Sequence, residues 1–384
     1  MIGVPARLSF SYGAYFFYGG LSMPWWPVWL SSRGLDNVEI AGLLAYERWI
    51  IVVASLILAH FSDRTGHRRK FLIFFSVGVM GSYALFGLAI ELWHYFAIAT
   101  LVAICRSPLI PLSDSITMAH VRREEADYGK VRLWGTISFI FGSFAGGVIL
   151  DGRAEDLVLW AIVLSCAIAV AGFVLLPDTR SEGTSRRMSR GVQLATRPIF
   201  LLFIATVALL MTSHTAVYAF GSLYWRSVGI DEKVIGFLWA FGAFAEIGVF
   251  WKGAALLKRF GPVWLIFIGA AAGVLRWYLT GISTEIWVLI PVQALHAFTF
   301  GAAHLGGMTF ISKAVPPELQ ATGQSLYSAI AMGAAYALML PYTGSLYADI
   351  GAERTFFVMA GLAAGSALLA VLLQYRWKGG QLVS

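Results

Sequence analysis

Seven ionisable side chains lie inside apolar stretches of the sequence that are long enough to cross a membrane. A charge near the centre of a bilayer costs roughly 2.5–3.5 kcal/mol on insertion scales, so such residues usually face a bundle interior or a watery cavity. In such a cavity a carboxyl or imidazole group can carry a proton, and a guanidinium can bind an anion. The seven residues are Asp114, Arg132, Glu246, Arg276, His214, His296 and His304.

The composition places these side chains in a membrane protein. Of the 384 residues, 58% are hydrophobic and only 13% are charged, whereas a soluble domain carries about 25% charged residues. The net charge is +7, and the basic residues lie in short loops between apolar spans. This distribution fits the topology of a membrane protein better than nucleic-acid binding. Cys105 and Cys166 are far apart in apolar segments and form no metal or redox motif.

Apolar runs of about 20 residues predict twelve transmembrane helices. A polar segment, Pro177 to Arg197, divides them into six and six. We therefore expect an all-α integral membrane protein with an N-terminal six-helix bundle over 1–177, a cytoplasmic linker over 178–197 and a C-terminal six-helix bundle over 198–384. The predicted spans are 8–31, 38–60, 71–90, 94–118, 130–150, 156–176, 198–222, 233–256, 263–282, 285–311, 321–347 and 352–375.

The positions of lysine and arginine predict that both termini are cytoplasmic. With that orientation the inward loops hold most basic residues, and the outward loops hold only Arg33, Arg153, Arg226, Lys233 and Arg354. We expect a multi-pass protein of a bacterial-type inner membrane. The two halves also look like an internal repeat, because Ile40-Ala-Gly-Leu-Leu has a counterpart in Ile235-Gly-Phe-Leu-Trp. Two repeated halves around a midplane site are typical of secondary transporters.

The loop between the second and third spans carries a recognisable motif. The run Asp63-Arg-Thr-Gly-His-Arg-Arg-Lys70 resembles the loop signature of the major facilitator superfamily, with His67 where an arginine is usual. The resemblance implies a gating loop, in which Gly66 allows a tight turn and Asp63 caps a helix or pairs with an arginine. Its residues are Asp63, Arg64, Gly66 and Arg68.

A longer resemblance covers nearly the whole chain. Segments Ser107–Asp114 and Asp127–Gly135, with Ala245-Glu246, Arg276-Trp277 and Leu295–Leu305, are similar to the 3-phenylpropionate permease subgroup. That subgroup is related to the oligosaccharide:proton symporters that include lactose permease.

The resemblance implies roles for two pairs of residues. In the lactose-permease-like symporters an acid and an arginine bind the substrate, and Asp114 and Arg132 have their spacing. An arginine and a histidine of those proteins belong to the coupling network, and Arg276 and His296 match them. The family's acidic proton carrier, three residues after that histidine, is Thr299 in this chain.

The proton must then bind elsewhere, and Glu246 is the first candidate. Burial raises the pKa of a carboxyl group and a nearby arginine lowers it. A carboxyl balanced between these two effects can take up and release a proton near neutral pH, as a symporter requires.

Further residues are candidates for the substrate site. His296 and His304 are eight residues apart and so about 80° apart on a helix, where both can face one cavity. Structural alternatives remain open for every one of these residues: Asp114 can neutralise Arg132, Arg132 can reach the cytoplasmic surface, and each histidine can be a packing residue. The other candidates are Arg106, Tyr218 and Trp239.

We expect a secondary active transporter that imports a small organic acid by proton symport, with a 3-phenylpropionate-like aromatic carboxylate implied by the resemblance. The alternatives are a sugar or nucleoside:proton symporter and a drug or siderophore exporter of the same fold. The sequence has no soluble domain, phosphate-binding loop or plausible catalytic triad, so we expect no enzymatic activity. We also expect no cofactor, metal, nucleic acid or obligatory protein partner; the expected partners are the substrate, protons and the lipid bilayer.

Overall fold

The computed structural model describes residues 3–65, 67–177 and 193–382, and for residue 56 and residues 59–65 it describes the backbone alone. Within these ranges the chain is helical and contains no β-strand. The predicted all-α fold class is therefore confirmed. The predicted cytoplasmic linker lies largely outside the described residues, because 178–192 fall between two of these ranges.

The described residues up to 177 form seven helices, because the predicted fourth span is interrupted at Ser107 and Pro108. Proline lacks a backbone N–H and so cannot continue the hydrogen-bonding pattern of the preceding helix. The helices are α1 Val4–Ser32, α2 Asn37–Thr65, α3 Arg68–Phe86, α4 Leu92–Arg106, α5 Leu109–Val121, α6 Tyr128–Leu150 and α7 Asp156–Leu175.

From residue 198 onward the described residues form eight α-helices, two π-helical segments and one 3₁₀ turn. The α-helices are α8 Pro198–Thr212, α9 Thr215–Ser227, α10 Glu232–Trp251, α11 Gly253–Ile282, α12 Ile286–Ala294, α13 Ala303–Ala314, α14 Gln320–Leu326 and α15 Ala335–Arg376. The π segments are Ala297–Ala302 and Tyr327–Ala334, and the 3₁₀ turn is Pro317–Leu319.

Nine helical stretches in the described ranges are long and apolar enough to cross a membrane. The last of them covers residues 317–376 and is broken at Gly351, whose φ of 82° is a left-handed conformation that favours glycine. It therefore contains the last two predicted spans. The first two predicted spans are α1 and α2, each 29 residues long.

The described residues form two compact units. The first contains the described residues before the linker together with Phe220–Ala240, and the second contains the other described residues. The end of α9 and the start of α10 thus belong to the first unit, although they follow residue 198. The predicted domain boundaries at 177 and 198 stay a prediction. Close packing accounts for this grouping: a Cβ on Gly147 of α6 would lie 2.3 Å from the carbonyl oxygen of Glu232.

Small residues also bring α1 and α6 into contact in the first unit. A Cβ on Gly142 would lie 2.4 Å from the carbonyl oxygen of Phe17, and one on Gly20 would lie 2.3 Å from that of Phe139. Such backbone contacts are typical of membrane helices, in which small residues allow close approach. In the second unit, Phe203 stacks on Phe310 with ring centroids 4.3 Å apart in a core of buried apolar residues.

Candidate functional site

A connected group of three ionisable side chains, one buried and two mostly buried, lies in the second unit. Glu246 of α10 places Oε1 2.7 Å from Nε2 of His296, and Nδ1 of His296 lies 2.9 Å from Nη1 of Arg276 on α11. The side chains of Glu246 and His296 are each 14% exposed, and Arg276 is 2% exposed. The structure thus brings together the three residues that the sequence assigned to proton coupling.

The partners of His296 determine which of its nitrogen atoms carries the proton. An arginine only donates hydrogen bonds, so Nδ1 of His296 accepts from Arg276. The ring is then neutral, its proton is on Nε2, and Nε2–H donates to Glu246 Oε1. The carboxyl group can accept this bond whether it is ionised or carries a proton on its other oxygen.

A second branch runs from Arg276 to His214. Nη1 of Arg276 also donates to Oγ1 of Thr299 at 3.0 Å, and Oγ1 of Thr299 lies 3.0 Å from Nε2 of His214. Nδ1 of His214 faces the carbonyl oxygen of Leu210 at 3.0 Å, so Nδ1 is the donor and Nε2 accepts from the threonine hydroxyl. Thr299, at the position where the resemblance implies a proton-carrying acid, therefore links the arginine to a histidine.

The first π segment positions part of this network. It begins directly after His296, contains Thr299 and ends one residue before α13, whose second residue is His304. Short π-helical segments inside α-helices are frequently found at functional sites. Gly301 of the same segment faces the stem of Glu246, because a Cβ at Gly301 would lie 3.6 Å from Cγ of Glu246.

His304 and Tyr218 lie in the same unit as the network. The rings of His296, Phe300 and His304 stack in sequence, with centroids 5.6 and 5.9 Å apart, so the two histidines share one face as predicted. Nδ1 of His304 lies 3.2 Å from the hydroxyl of Tyr327 in the second π segment. The ring of Tyr218 lies 6.3 Å from that of His296.

The predicted substrate pair of the first unit has a different geometry. No ion pair joins Asp114 and Arg132 within the described part of the chain, so Asp114 does not neutralise Arg132 by direct contact. Asp114 instead accepts hydrogen bonds from the hydroxyls of Tyr12 and Tyr128, the second at 3.1 Å. The Arg132 guanidinium lies over the rings of Phe16 at 4.6 Å and Tyr12 at 5.9 Å.

This geometry leaves part of the Arg132 guanidinium available. Its Nη1 is buried and has no hydrogen-bond partner among the described residues. A guanidinium held by aromatic rings, and not by a carboxylate, keeps its donors for an anionic ligand.

The other predicted site residues are distributed through the first unit. Nη2 of Arg106 lies 2.8 Å from Oε1 of Glu47. Trp239 is 8% exposed and donates from Nε1 to Ser222 Oγ at 3.0 Å. In the predicted gating loop, Gly66 and the side chains of Asp63 and Arg64 lie outside the described residues, and Arg68 begins α3.

Sequence reasoning missed two residues that contact the predicted ones. Gln293 is 3% exposed and its Oε1 accepts from Nη2 of Arg276 at 2.9 Å. Glu47 of α2 is the second, and its Oε1 lies 2.8 Å from Nη2 of Arg106. A polar or charged residue inside an apolar run is the signal that marks both positions.

Comparisons with known proteins agree with the membrane-spanning fold. A family model described as "MFS_1 like family" matches residues 6–359. The chain is 32% identical over 371 residues to the "Probable 3-phenylpropionic acid transporter" of Escherichia coli (strain K12), covering 94% of this chain and 96% of that protein. It is 28% identical to the "Maltose permease" of Geobacillus stearothermophilus, covering 77% of each chain.

Solved structures with the same fold have little sequence similarity to this chain. The crystal structure of the nucleoside transporter NupG superimposes with a TM-score of 0.87 at 14% identity, covering 98% of this chain and 100% of that one. A bacterial homologue of the human lysosomal transporter Spinster, in an inward-facing and unoccupied conformation, superimposes with a TM-score of 0.78 at 13% identity, covering 96% of each chain.

Proposed function

This chain belongs to the MFS_1 like family of major facilitator membrane transporters, and from that premise we propose that it imports a small organic acid by proton symport. A protein of this family is a transporter and not an enzyme. The observation that carries the proposal is the buried chain from Glu246 through His296 to Arg276, with contacts of 2.7 and 2.9 Å.

The charges of Glu246 and Arg276 couple the uptake of a proton to the binding of an anion. With Glu246 ionised, its negative charge balances the positive charge of Arg276 across the neutral His296 ring. When Glu246 takes up a proton, the positive charge of Arg276 is no longer balanced. A buried unpaired charge is costly, so the protonated site favours the arrival of an anion, and binding of the anion favours the protonated state.

The proposed anchor for the substrate carboxylate is Arg132. Its guanidinium can donate two parallel hydrogen bonds to a carboxylate, and Phe16 and Tyr12 beside it offer apolar ring surface to an aromatic substrate. The relative named for 3-phenylpropionic acid supports an aromatic monocarboxylate, because it matches this chain over almost its full length. His304, Tyr218, Trp239 and Arg106 remain proposed substrate contacts.

A sugar or nucleoside:proton symporter is the second candidate. Asp114 accepts hydrogen bonds from two tyrosine hydroxyls, and a carboxylate that binds hydroxyls is suited to a polyol substrate. The relative named for maltose and the solved nucleoside transporter favour the same class. An exporter of the same fold is the third candidate, and outward flux in oriented vesicles would favour it.

In the proposed mechanism the substrate site opens alternately to the two sides of the membrane, which is the general mechanism of transporters with two repeated halves. The Lys and Arg positions support an inner-membrane orientation with both termini cytoplasmic. The proposed partners are the organic acid, protons and the bilayer.

The proposal is tested with purified protein. A thermal-shift screen against aromatic acids, sugars and nucleosides identifies the ligand class, and we expect stabilisation by 3-phenylpropionate. Protein in liposomes should then accumulate labelled 3-phenylpropionate when the inside is alkaline, and a protonophore should abolish accumulation. Stabilisation by sugars or nucleosides alone, or uptake indifferent to the proton gradient, would reject organic-acid symport.

A further inference from the structure

A groove in the first unit lies between α6 and α7, with α1 as its floor. A Cβ on Gly13 of α1 would lie 2.9 Å from Oγ of Ser138 on α6, and a Cβ on Gly172 of α7 would lie 3.1 Å from Cα of Ser11 on α1. Helix α1 therefore packs against both neighbours, and residues of all three helices line a groove of about 760 Å³. This volume is within the range of about 300–1,000 Å³ that is usual for ligand sites.

The lining of the groove is mostly apolar, with its charge at one end. On α6 the lining residues Lys130, Trp134 and Ser138 are four residues apart, so they lie on one face of the helix. On α1 the lining runs from Pro5 to Phe17. Among the described residues that line the groove only Lys130 is charged. Lys130 and Pro5 both lie in the first turn of their helices, so the charged end is the end predicted to be cytoplasmic.

The groove has the depth of one leaflet of a bilayer. At 1.5 Å per residue, its lining covers about 18 Å of α1 and about 12 Å of α6. Half of the hydrocarbon core of a bilayer is about 15 Å thick. The groove is also open sideways, because large apolar side chains of all three helices are exposed in it: Phe10 is 45%, Trp134 is 53% and Ile168 is 38% exposed. Its length and its apolar walls fit an acyl chain that enters from the surrounding lipid.

The cytoplasmic end of the groove is positively charged. The ammonium group of Lys130 is exposed there, and α1 begins there without a side-chain cap, which leaves a partial positive charge at its N-terminus. Arg7 and Arg69 add two cations, because each donates a hydrogen bond to a carbonyl oxygen in the last turn of α7. The carboxylate of Asp127 accepts from the backbone N–H of Lys130 at 3.1 Å. Three cations against this carboxylate favour an anionic headgroup.

The groove is separate from the proposed anchor of the substrate. Arg132 is two residues from both Lys130 and Trp134, which places it about 200° away from each around α6. Its guanidinium lies over the ring of Phe16 at 4.6 Å. A molecule in the groove would therefore lie on the other side of α6 from the substrate carboxylate.

We propose that this groove binds an anionic phospholipid of the cytoplasmic leaflet, with one acyl chain along α1 and the phosphate beside Lys130. An acyl chain is already in an apolar medium in the bilayer, so its fit contributes little preference for one lipid over another. The preference comes from the charge of the headgroup, because basic pockets between membrane helices on the cytoplasmic side bind anionic headgroups. The inference goes beyond the proposed function and requires no particular substrate.

The test uses tryptophan quenching by phospholipids with brominated acyl chains. The full-length wild type and Trp134→Phe are reconstituted in phosphatidylcholine bilayers, and the difference between their fluorescence reports on Trp134. Brominated phosphatidylglycerol should quench this signal at a concentration at least fivefold lower than brominated phosphatidylcholine, since one lysine near the surface contributes about a factor of five. Salt should weaken the preference, because exposed charges are screened.

Lys130→Gln should lower this preference about fivefold. Lys378→Gln is the matched control, because Lys378 is an exposed lysine of the second unit that lies over the Tyr375 ring at 5.7 Å. It should keep the preference of the wild type. The same preference in Lys130→Gln and the wild type would overturn the proposed site.

Equal quenching of Trp134 by the two lipids would mean ordinary contact with the bilayer and would also overturn the proposal. No quenching by either lipid would show that protein covers the groove, with the same consequence. Native mass spectrometry of the wild type keeps the test decisive if a variant does not fold: from an equimolar mixture, the protein should retain phosphatidylglycerol in preference to phosphatidylcholine, and equal retention would reject the site. None of these measurements uses a transported acid, so their outcome is independent of the proposed symport.

Discussion

Oε1 of Glu246 lies 2.7 Å from Nε2 of His296, whose opposite nitrogen accepts a hydrogen bond from Arg276. The acid and the permanent cation therefore share one neutral imidazole ring. A proton that arrives at Glu246 changes the net charge of the group without displacing any of these contacts. Under the proposed symport, substitution of Glu246 should therefore separate proton coupling from substrate binding.

Glu246→Gln should keep substrate exchange and lose uphill accumulation. Glutamine imitates the protonated carboxyl, because its side-chain oxygen still accepts from Nε2 of His296, but it cannot release a proton. Counterflow of labelled 3-phenylpropionate in liposomes should therefore continue, while accumulation driven by a pH gradient should fall to the equilibrium level.

Glu318→Gln is the matched control, since Glu318 is exposed in the 3₁₀ turn. It should accumulate substrate as the wild type does. Accumulation retained by Glu246→Gln would move the proton site to another residue.

Thr299→Val should destabilise the second unit, whereas Thr299→Ser should not. Valine has nearly the shape of threonine but lacks the hydroxyl that joins Nη1 of Arg276 to Nε2 of His214. Leaving buried polar groups without partners costs about 1–3 kcal/mol. Thermal unfolding in detergent, followed by tryptophan fluorescence, should show a lower midpoint for Thr299→Val. Equal midpoints for the two variants would mean that the hydroxyl does not stabilise the network.

The fold and the proximity of Arg276 and His296 could be predicted from the sequence, because both depend on signals that are local or periodic. Apolar runs of about 20 residues identify membrane helices whatever they pack against. The resemblance assigned Arg276 and His296 by their spacing, and the structure brings them to 2.9 Å. The role of Thr299 as a link between them and His214 needs three-dimensional contacts and could not be predicted.

The first unit shows why pairing is harder to predict than the presence of a charge. Asp114 and Arg132 are 18 residues apart on different helices, and nothing in their spacing reveals that tyrosines and not the arginine hold the carboxylate. The contact of Glu47 with Arg106 joins helices separated by a third one. The π segment after His296 was also missed, because an inserted residue leaves the apolar pattern of a membrane span unchanged.

Arg132→Ala should abolish carboxylate binding with little effect on folding. Arg132 forms no ion pair among the described residues, and the contact with the Phe16 ring at 4.6 Å contributes only about 0.5–1 kcal/mol. Binding of 3-phenylpropionate should be lost, while the unfolding midpoint should stay near that of the wild type. Arg132→Lys should bind weakly, because an ammonium cannot donate a parallel pair of hydrogen bonds. Unchanged affinity in Arg132→Ala would exclude the anchor role.

Arg226→Gln should lower stability in a way that depends on pH and salt. Arg226 pairs with Glu155 at 3.0 Å and Glu232 at 2.9 Å, and its hydrogen bond lowers the pKa of the Glu155 carboxyl. A carboxyl with a lowered pKa stabilises the fold above its ordinary pKa of about 4.3, and this stabilisation is lost as pH falls through the lower value.

These side chains are partly exposed, so the effect should be at most about 1 kcal/mol. The difference in unfolding midpoint between the wild type and Arg226→Gln should be present at pH 7, smaller in 0.5 M salt and nearly absent at pH 3. Arg153→Gln, at a nearby exposed arginine, is the control. A difference that persists at pH 3 would assign the effect of Arg226 to packing.

Gly142→Ala should destabilise the first unit, whereas Gly42→Ala should not. The new methyl group at residue 142 would lie 2.4 Å from the carbonyl oxygen of Phe17, so α1 and α6 would have to separate. Overpacking of this kind costs about 1–3 kcal/mol. Gly42 is also helical but has no atom within 4 Å of an added Cβ, so alanine there should be neutral or stabilise by about 0.5–1 kcal/mol. Similar unfolding midpoints for the two variants would show that α1 and α6 do not depend on glycine for their contact.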